Sequence, residues 1–134
     1  MTRIVKPLPI TQGTDGEISL ESGIVLGTAV TPPALTANTN NLVVTDIEKA
    51  IVLRLGSIGN HDLTGLVPFN SSKAWMLFVA NIGPGNIKLK NNDAASSANN
   101  RFLIGGNKKI QQDEGILLFY DPISKRWRGS GILI

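Results

Sequence analysis

The sequence predicts an all-β fold: a single antiparallel β-sandwich or β-roll domain entered by an extended N-terminal arm. Three observations carry that reading. Glycine, asparagine, serine and threonine punctuate the chain, and no window holds apolar residues at i, i+3, i+4 and i+7 over three turns. Short runs rich in Val, Ile, Leu and Phe recur between these turn residues. Several of the runs alternate apolar with polar residues, the period that sends successive side chains to opposite faces of a sheet. At 134 residues there is room for one domain. A domain of that size buries roughly 68–70% of the surface its unfolded chain exposes.

Residues 1–34 differ in texture from the rest. Pro7, Pro9, Pro32 and Pro33, with Gly13, Gly16, Gly23 and Gly27, leave little with which to build a core. The segment reads either as an arm lying on another surface or as an edge strand followed by a linker. Residues 35–134 read as the β domain. Across the whole chain, the strand-like runs are Gly23 to Val30, Asn41 to Thr45, Ala50 to Leu55, Ala74 to Asn81, Asn86 to Lys90, Lys108 to Gln112, Gly115 to Tyr120 and Arg126 to Ile134. In "IVLRL", Ile51, Leu53 and Leu55 oppose Arg54; in "NIKLK", Ile87 and Leu89 oppose Lys88 and Lys90. "AWMLFVA" and "ILLFY" are apolar on both faces, which places them centrally or against a neighbouring subunit.

The turns are predicted on mechanism. "NIGPGN" is expected to close a hairpin, its glycines supplying positive φ and its proline fixing the turn. "NNDAASSANN" has nothing to bury and is expected to be an exposed loop, either a connector or a partner contact. "YDPISKRWRG" places a strand, a four-residue turn with proline second, and a strand starting near Arg126. Its Trp127 reads as a packing residue of that hairpin or as a glycan or receptor contact.

Composition narrows function. Thirteen basic residues against ten acidic give a net charge of only +3, which is no basic field for nucleic acid. With no cysteine, disulfides, thiolate metal sites and thiol nucleophiles drop out together. The opening "MTRIVKPLPI" lacks the apolar core of a secretory signal, and no apolar run approaches the roughly 20 residues that span a bilayer. No nucleic-acid or membrane partner is expected. The one histidine, His61 in "GNHDLTG", stands beside Asp62, but adjacent side chains diverge on an extended backbone and no second histidine completes a metal set. Acidic residues are scattered, "IGGNKK" lacks the ending that sets a lysine on phosphate, and no catalytic motif is present. No cofactor, no metal and no enzymatic activity are expected.

From about Leu35 onward, the order of motifs resembles a trimeric β domain of tailed-phage virion proteins, of the head-fibre, head-decoration and tail-fibre type. The residues that carry the resemblance are "ALTANTNNLVV", "LTGL" at Leu63 to Leu66, "MLFVANIGPGNIKLKN", "SSANNRF", "GGNKKIQQDEGILLFYD" and the closing "RWRGSG". It implies a non-enzymatic virion protein, a homotrimer whose partner is the major capsid protein or another virion protein, made in the host cytoplasm and carried on the capsid exterior. No heptad run precedes the domain, so the chain reads as a complete small head-decoration or head-fibre protein. On that reading, Ile4, Val5, Leu8 and Ile10 are the candidate capsid anchors, and Trp75, Leu77 and Phe78 the candidate trimer interface. The alternative is a receptor- or carbohydrate-binding module of a tail fibre or baseplate, with Asn92, Asn99 and Trp127 as candidate contacts to a host-surface glycan.

Overall fold

The computed structural model describes residues 10–12, 18–20 and 25–129. Within them the chain is built of strands and turns, with no α-helix: β1 (Ile10–Gln12), β2 (Ile18–Leu20), β3 (Thr28–Val30), β4 (Ala50–Leu55), β5 (His61–Leu63), β6 (Trp75–Asn81), β7 (Ile87–Leu89), β8 (Lys108–Ile110), β9 (Gly115–Asp121) and β10 (Arg126–Gly129). Single 3-10 turns cover Ile47–Lys49 and Ala98–Asn100. β1 and β2 pair with each other inside the segment read as an arm. Ile4, Val5 and Leu8 lie outside the described residues, and Ile10 opens β1.

The other strands form a five-stranded sheet in the order β10-β9-β6-β4-β3 and a three-stranded sheet in the order β5-β7-β8. The expectation of an antiparallel fold is corrected here, because both sheets are mixed. β3, β4 and β6 run parallel in one sheet and β5 and β7 in the other, while β8, β9 and β10 return antiparallel. The chain winds in successive coils, each adding a segment to both sheets. Val30 stands opposite Leu53, and Leu53 opposite Val79; Thr39 is bridged to Leu63, and Leu63 to Leu89. A parallel pair needs a crossover of a dozen or more residues. Here the other sheet's strand and its turns supply that crossover.

"NIGPGN" consequently closes no hairpin, since it carries the chain from β6 in one sheet to β7 in the other. Its glycines do not take positive φ either; among the described residues those that do are Gly27, Gly105 and Gly106. Gly83 and Gly85 instead allow close approach between coils. A Cβ on Gly83 would meet the Ser57 backbone nitrogen at 2.4 Å, and one on Gly85 the Gly59 carbonyl oxygen at 2.0 Å. Buried Asn81 satisfies this contact: its Nδ2 donates to the carbonyls of Gly85 and Ile110, both at 2.9 Å, and its Oδ1 accepts from Gly83 N–H at 3.0 Å.

Other asparagines tie coil to coil in the same way. Asn38 Oδ1 accepts from the Asp62 amide at 2.9 Å, Asn60 Oδ1 from the Asn86 amide at 3.0 Å, and Asn107 Oδ1 from the Asn91 amide at 2.9 Å. Asn60 and Asn107 belong to two copies of a repeated Gly-Asn-x-x-(Leu/Ile) pattern, "GNHDL", "GNIKL" and "GNKKI". Each copy enters one strand of the three-stranded sheet, with the glycine at the turn and the last residue buried.

One core joins the two sheets. The register of β6 on β9 sets Leu77 opposite Leu118 and Val79 opposite Ile116 on the inner face, where all four are buried. They meet Leu63, Ile87, Leu89 and Ile110 from the smaller sheet in the same cluster. The face-to-face arrangement is sandwich-like, as two sheets with alternating inward residues require.

Candidate functional site

Two surfaces stand out once the core is accounted for. The first is the outer face of the five-stranded sheet. The alternation that buries Leu77 and Val79 turns Met76, Phe78 and Ala80 outward, and on β9 it turns Leu117 and Phe119 outward. Cross-strand register sets Met76 beside Phe119 and Phe78 beside Leu117, with Val52 of β4 next to Phe78. Met76 is 50% exposed and Phe119 45%. The two-sided apolar runs therefore do lie centrally, with β6 held between β4 and β9, and their outward residues form an apolar stripe. Arg128 of β10 stands opposite Phe119 at its margin.

The second is a polar depression of about 300 Å³ on the smaller sheet, lined by Asn60, His61, Asp62, Asn86, Lys88 and Lys109. Asp62, Lys88 and Lys109 form one row across β5, β7 and β8. Lys90 pairs with Asp62 at 3.9 Å, and both are partly shielded. His61, read from sequence as a loop residue, instead opens β5; its amide donates to the Asn86 carbonyl at 3.0 Å. Among the described residues, no group of three or more His, Cys, Asp or Glu is placed to hold a metal, and no helix is long and apolar enough to cross a membrane.

The candidate trimer residues separate. Leu77 is fully buried in the chain's own core and offers no surface to a neighbour. Trp75 packs between Phe69, at 4.6 Å between ring centroids, and Trp127, at 4.8 Å. Of the three, Phe78 alone belongs to the outward stripe, and sequence reasoning missed its companions Met76 and Phe119.

Trp127 as a receptor contact is also corrected. It is wholly buried, packs edge-on against Tyr120 at 5.2 Å, and donates from Nε1 to the Leu66 carbonyl at 2.7 Å. The alternation in "RWRG" contains the signal, because Arg126 and Arg128 face away from Trp127. Asn92 and Asn99 are exposed. Their loop is nonetheless tied down, contrary to the expectation that it has nothing to bury. Ser96 is 2% exposed and bonds the Thr64 hydroxyl at 2.6 Å and the Asn41 amide at 2.9 Å. The Tyr120 hydroxyl donates to the Asn99 carbonyl at 2.7 Å, and burial pushes that phenol above its usual range.

The β9–β10 turn is as expected. Arg126 stands opposite Asp121, and the Lys125 amide donates to the Asp121 carbonyl at 2.9 Å. The Asp121 carboxylate accepts from the Ser124 hydroxyl at 2.7 Å and from the Ile123 amide at 3.0 Å, and it pairs with Arg128 at 3.5 Å. Those bonds, the Ser124 hydroxyl foremost, hold its carboxyl below the ordinary value of 3.8. Ile123 at the tip is 92% exposed.

No protein-family model, curated protein or solved structure matches the chain.

Proposed function

We propose that the chain is a non-enzymatic structural virion protein of a tailed bacteriophage, a homotrimer borne on the capsid exterior and attached through its N-terminal segment. The observation that carries the trimer is the apolar stripe of Met76, Phe78, Leu117 and Phe119 on the outer face of the five-stranded sheet. Contiguous exposed apolar residues on a β-sheet mark a surface that gains by being covered, at roughly 25 cal/mol per Å² removed from water. Two further copies of the chain are the proposed cover, because central strands apolar on both faces suit a subunit that packs on its own kind. The order of turn and strand motifs resembling phage virion domains supports the placement on a capsid. Three N-terminal segments on one trimer would attach it by avidity, with no single contact needing to be strong.

Light scattering of the purified full chain across concentrations tests this. A concentration-independent trimer mass is expected, reduced to that of a monomer in the Met76→Lys/Phe119→Lys variant with its far-UV circular dichroism unchanged. A monomeric wild-type chain would overturn the trimer, and a variant that stays trimeric would remove this face from it.

A further inference from the structure

We propose that the depression on the three-stranded sheet is a binding site for an anionic saccharide unit, a sugar ring bearing a carboxylate or a phosphate. The inference is independent of the trimer, which uses the other sheet. It begins with an electrostatic conflict. Lys88 on β7 and Lys109 on β8 are direct cross-strand partners, and both are exposed on the outer side of the sheet. Like charges directly opposite one another destabilise a strand pair. The nearest acidic member of the row, Asp62, is engaged with Lys90. Lys88 and Lys109 form no ion pair within 4.0 Å among the described residues, so the row presents two adjacent ammonium groups at the wall of a concavity. An anion seated between them would remove the repulsion and gain two charge-assisted hydrogen bonds.

The remainder of the wall fits hydroxyl groups. Asn60 uses its Oδ1 on the Asn86 amide, so its Nδ2 donors remain available at the rim, and the side chain of Asn86 one coil further makes no hydrogen bond among the described residues. These amides and the His61 ring supply donors and acceptors spaced along adjacent strands. The lining contains no Phe, Tyr or Trp on which a neutral sugar would stack, so charge is the main thing the site offers a ligand. A volume of about 300 Å³ is at the small end for ligand sites and suits one or two sugar units. The coil geometry keeps this wall rigid: Gly59 and Gly85 are in backbone contact just behind Asn60 and Asn86.

The test is amide chemical-shift titration of the full chain with glucuronate and with glucose 6-phosphate. Glucose, acetate and inorganic phosphate serve as controls. Expected are saturable shifts confined to Asn60, His61, Asn86, Lys88, Lys109 and their neighbours, with either acidic sugar and more weakly with every control. A response to glucuronate alone assigns a carboxylated sugar, and one to glucose 6-phosphate alone assigns a phosphorylated one; both support the proposal. Lys109→Glu replaces the like-charged pair with an opposite one. That variant should keep or raise its melting temperature while losing about tenfold or more in affinity, as removal of a charge-assisted contact entails. Three results would overturn the proposal: no shifts at these residues, equal shifts with acetate or inorganic phosphate, or undiminished binding by Lys109→Glu.

Discussion

At Gly85, one methyl group separates a folded coil from a clash. A Cβ there would lie 2.0 Å from the Gly59 carbonyl oxygen and 2.3 Å from its carbon, and neither backbone atom can move without separating two coils. Gly105 makes the opposite demand: its φ is +76°, and a Cβ would meet nothing within 4 Å. Gly85→Ala should cost about 3 kcal/mol, the upper end for overpacking, whereas Gly105→Ala should cost about 1 kcal/mol, the expense of a left-handed residue. Guanidinium denaturation of the two variants checks the difference. Equal losses would mean that the coils can part at Gly85 to admit the methyl, and that close approach is not what this glycine serves. From sequence alone the two positions look alike, since each is a glycine beside a turn; what distinguishes them is a contact made by a distant part of the chain.

At the level of the element, the β9–β10 hairpin carries its own pH dependence. Asp121 has a carboxyl held below its ordinary value of 3.8, by the Ser124 hydroxyl first and then by the Ile123 amide. A folded-state value lower than the unfolded one means that the charged form is favoured by folding. The resulting stability is complete above the ordinary value and is lost as pH falls through the lower folded value. Asp121→Asn should therefore melt lower than the wild type at neutral pH, with the gap closing below about pH 4. Melting curves from pH 2 to 7 would show it, and parallel curves across that range would remove Asp121 as the cause. This hairpin was legible because its signals are local: Asp-Pro opening the turn, and an apolar run on one side with an alternating one on the other. β4 was read with its boundaries, and β6, β7 and β9 to within a residue, for the same reason. β5 was not, because "HDL" between two glycine turns has too few apolar residues to show a period. The parallel pairing was hidden for a further reason: nothing in a strand's own residues says which distant strand lies beside it. With β5 unseen, the three Gly-Asn entries could not be recognised as neighbours, and so neither could the depression that they line.

For the whole molecule, the make-up of the core sets the expectation for what removal of the N-terminal segment costs. The core cluster runs from Leu35 to Trp127 and takes members from both sheets and the turns between them. Of the residues whose side chains the structure describes, none before Leu35 belongs to it, although Val30 packs partly against it. A variant lacking residues 1 to 24 keeps every member of that cluster and all of β3 to β10. Its melting temperature should fall by less than about 4 °C, which for a domain of this size corresponds to under about 1 kcal/mol. Trp75 of β6 and Trp127 of β10, both register partners of Tyr120 on the intervening β9, have ring centroids 4.8 Å apart, and their fluorescence reports the integrity of that packing. Because one core serves both sheets, the fluorescence and far-UV transitions should coincide in the shortened chain as in the full one. A larger fall would show that the segment stabilises the domain, and attachment to another surface would then compete with folding. A small one leaves residues 1 to 24 free to bind elsewhere without cost to the fold, as the proposed attachment to a capsid requires.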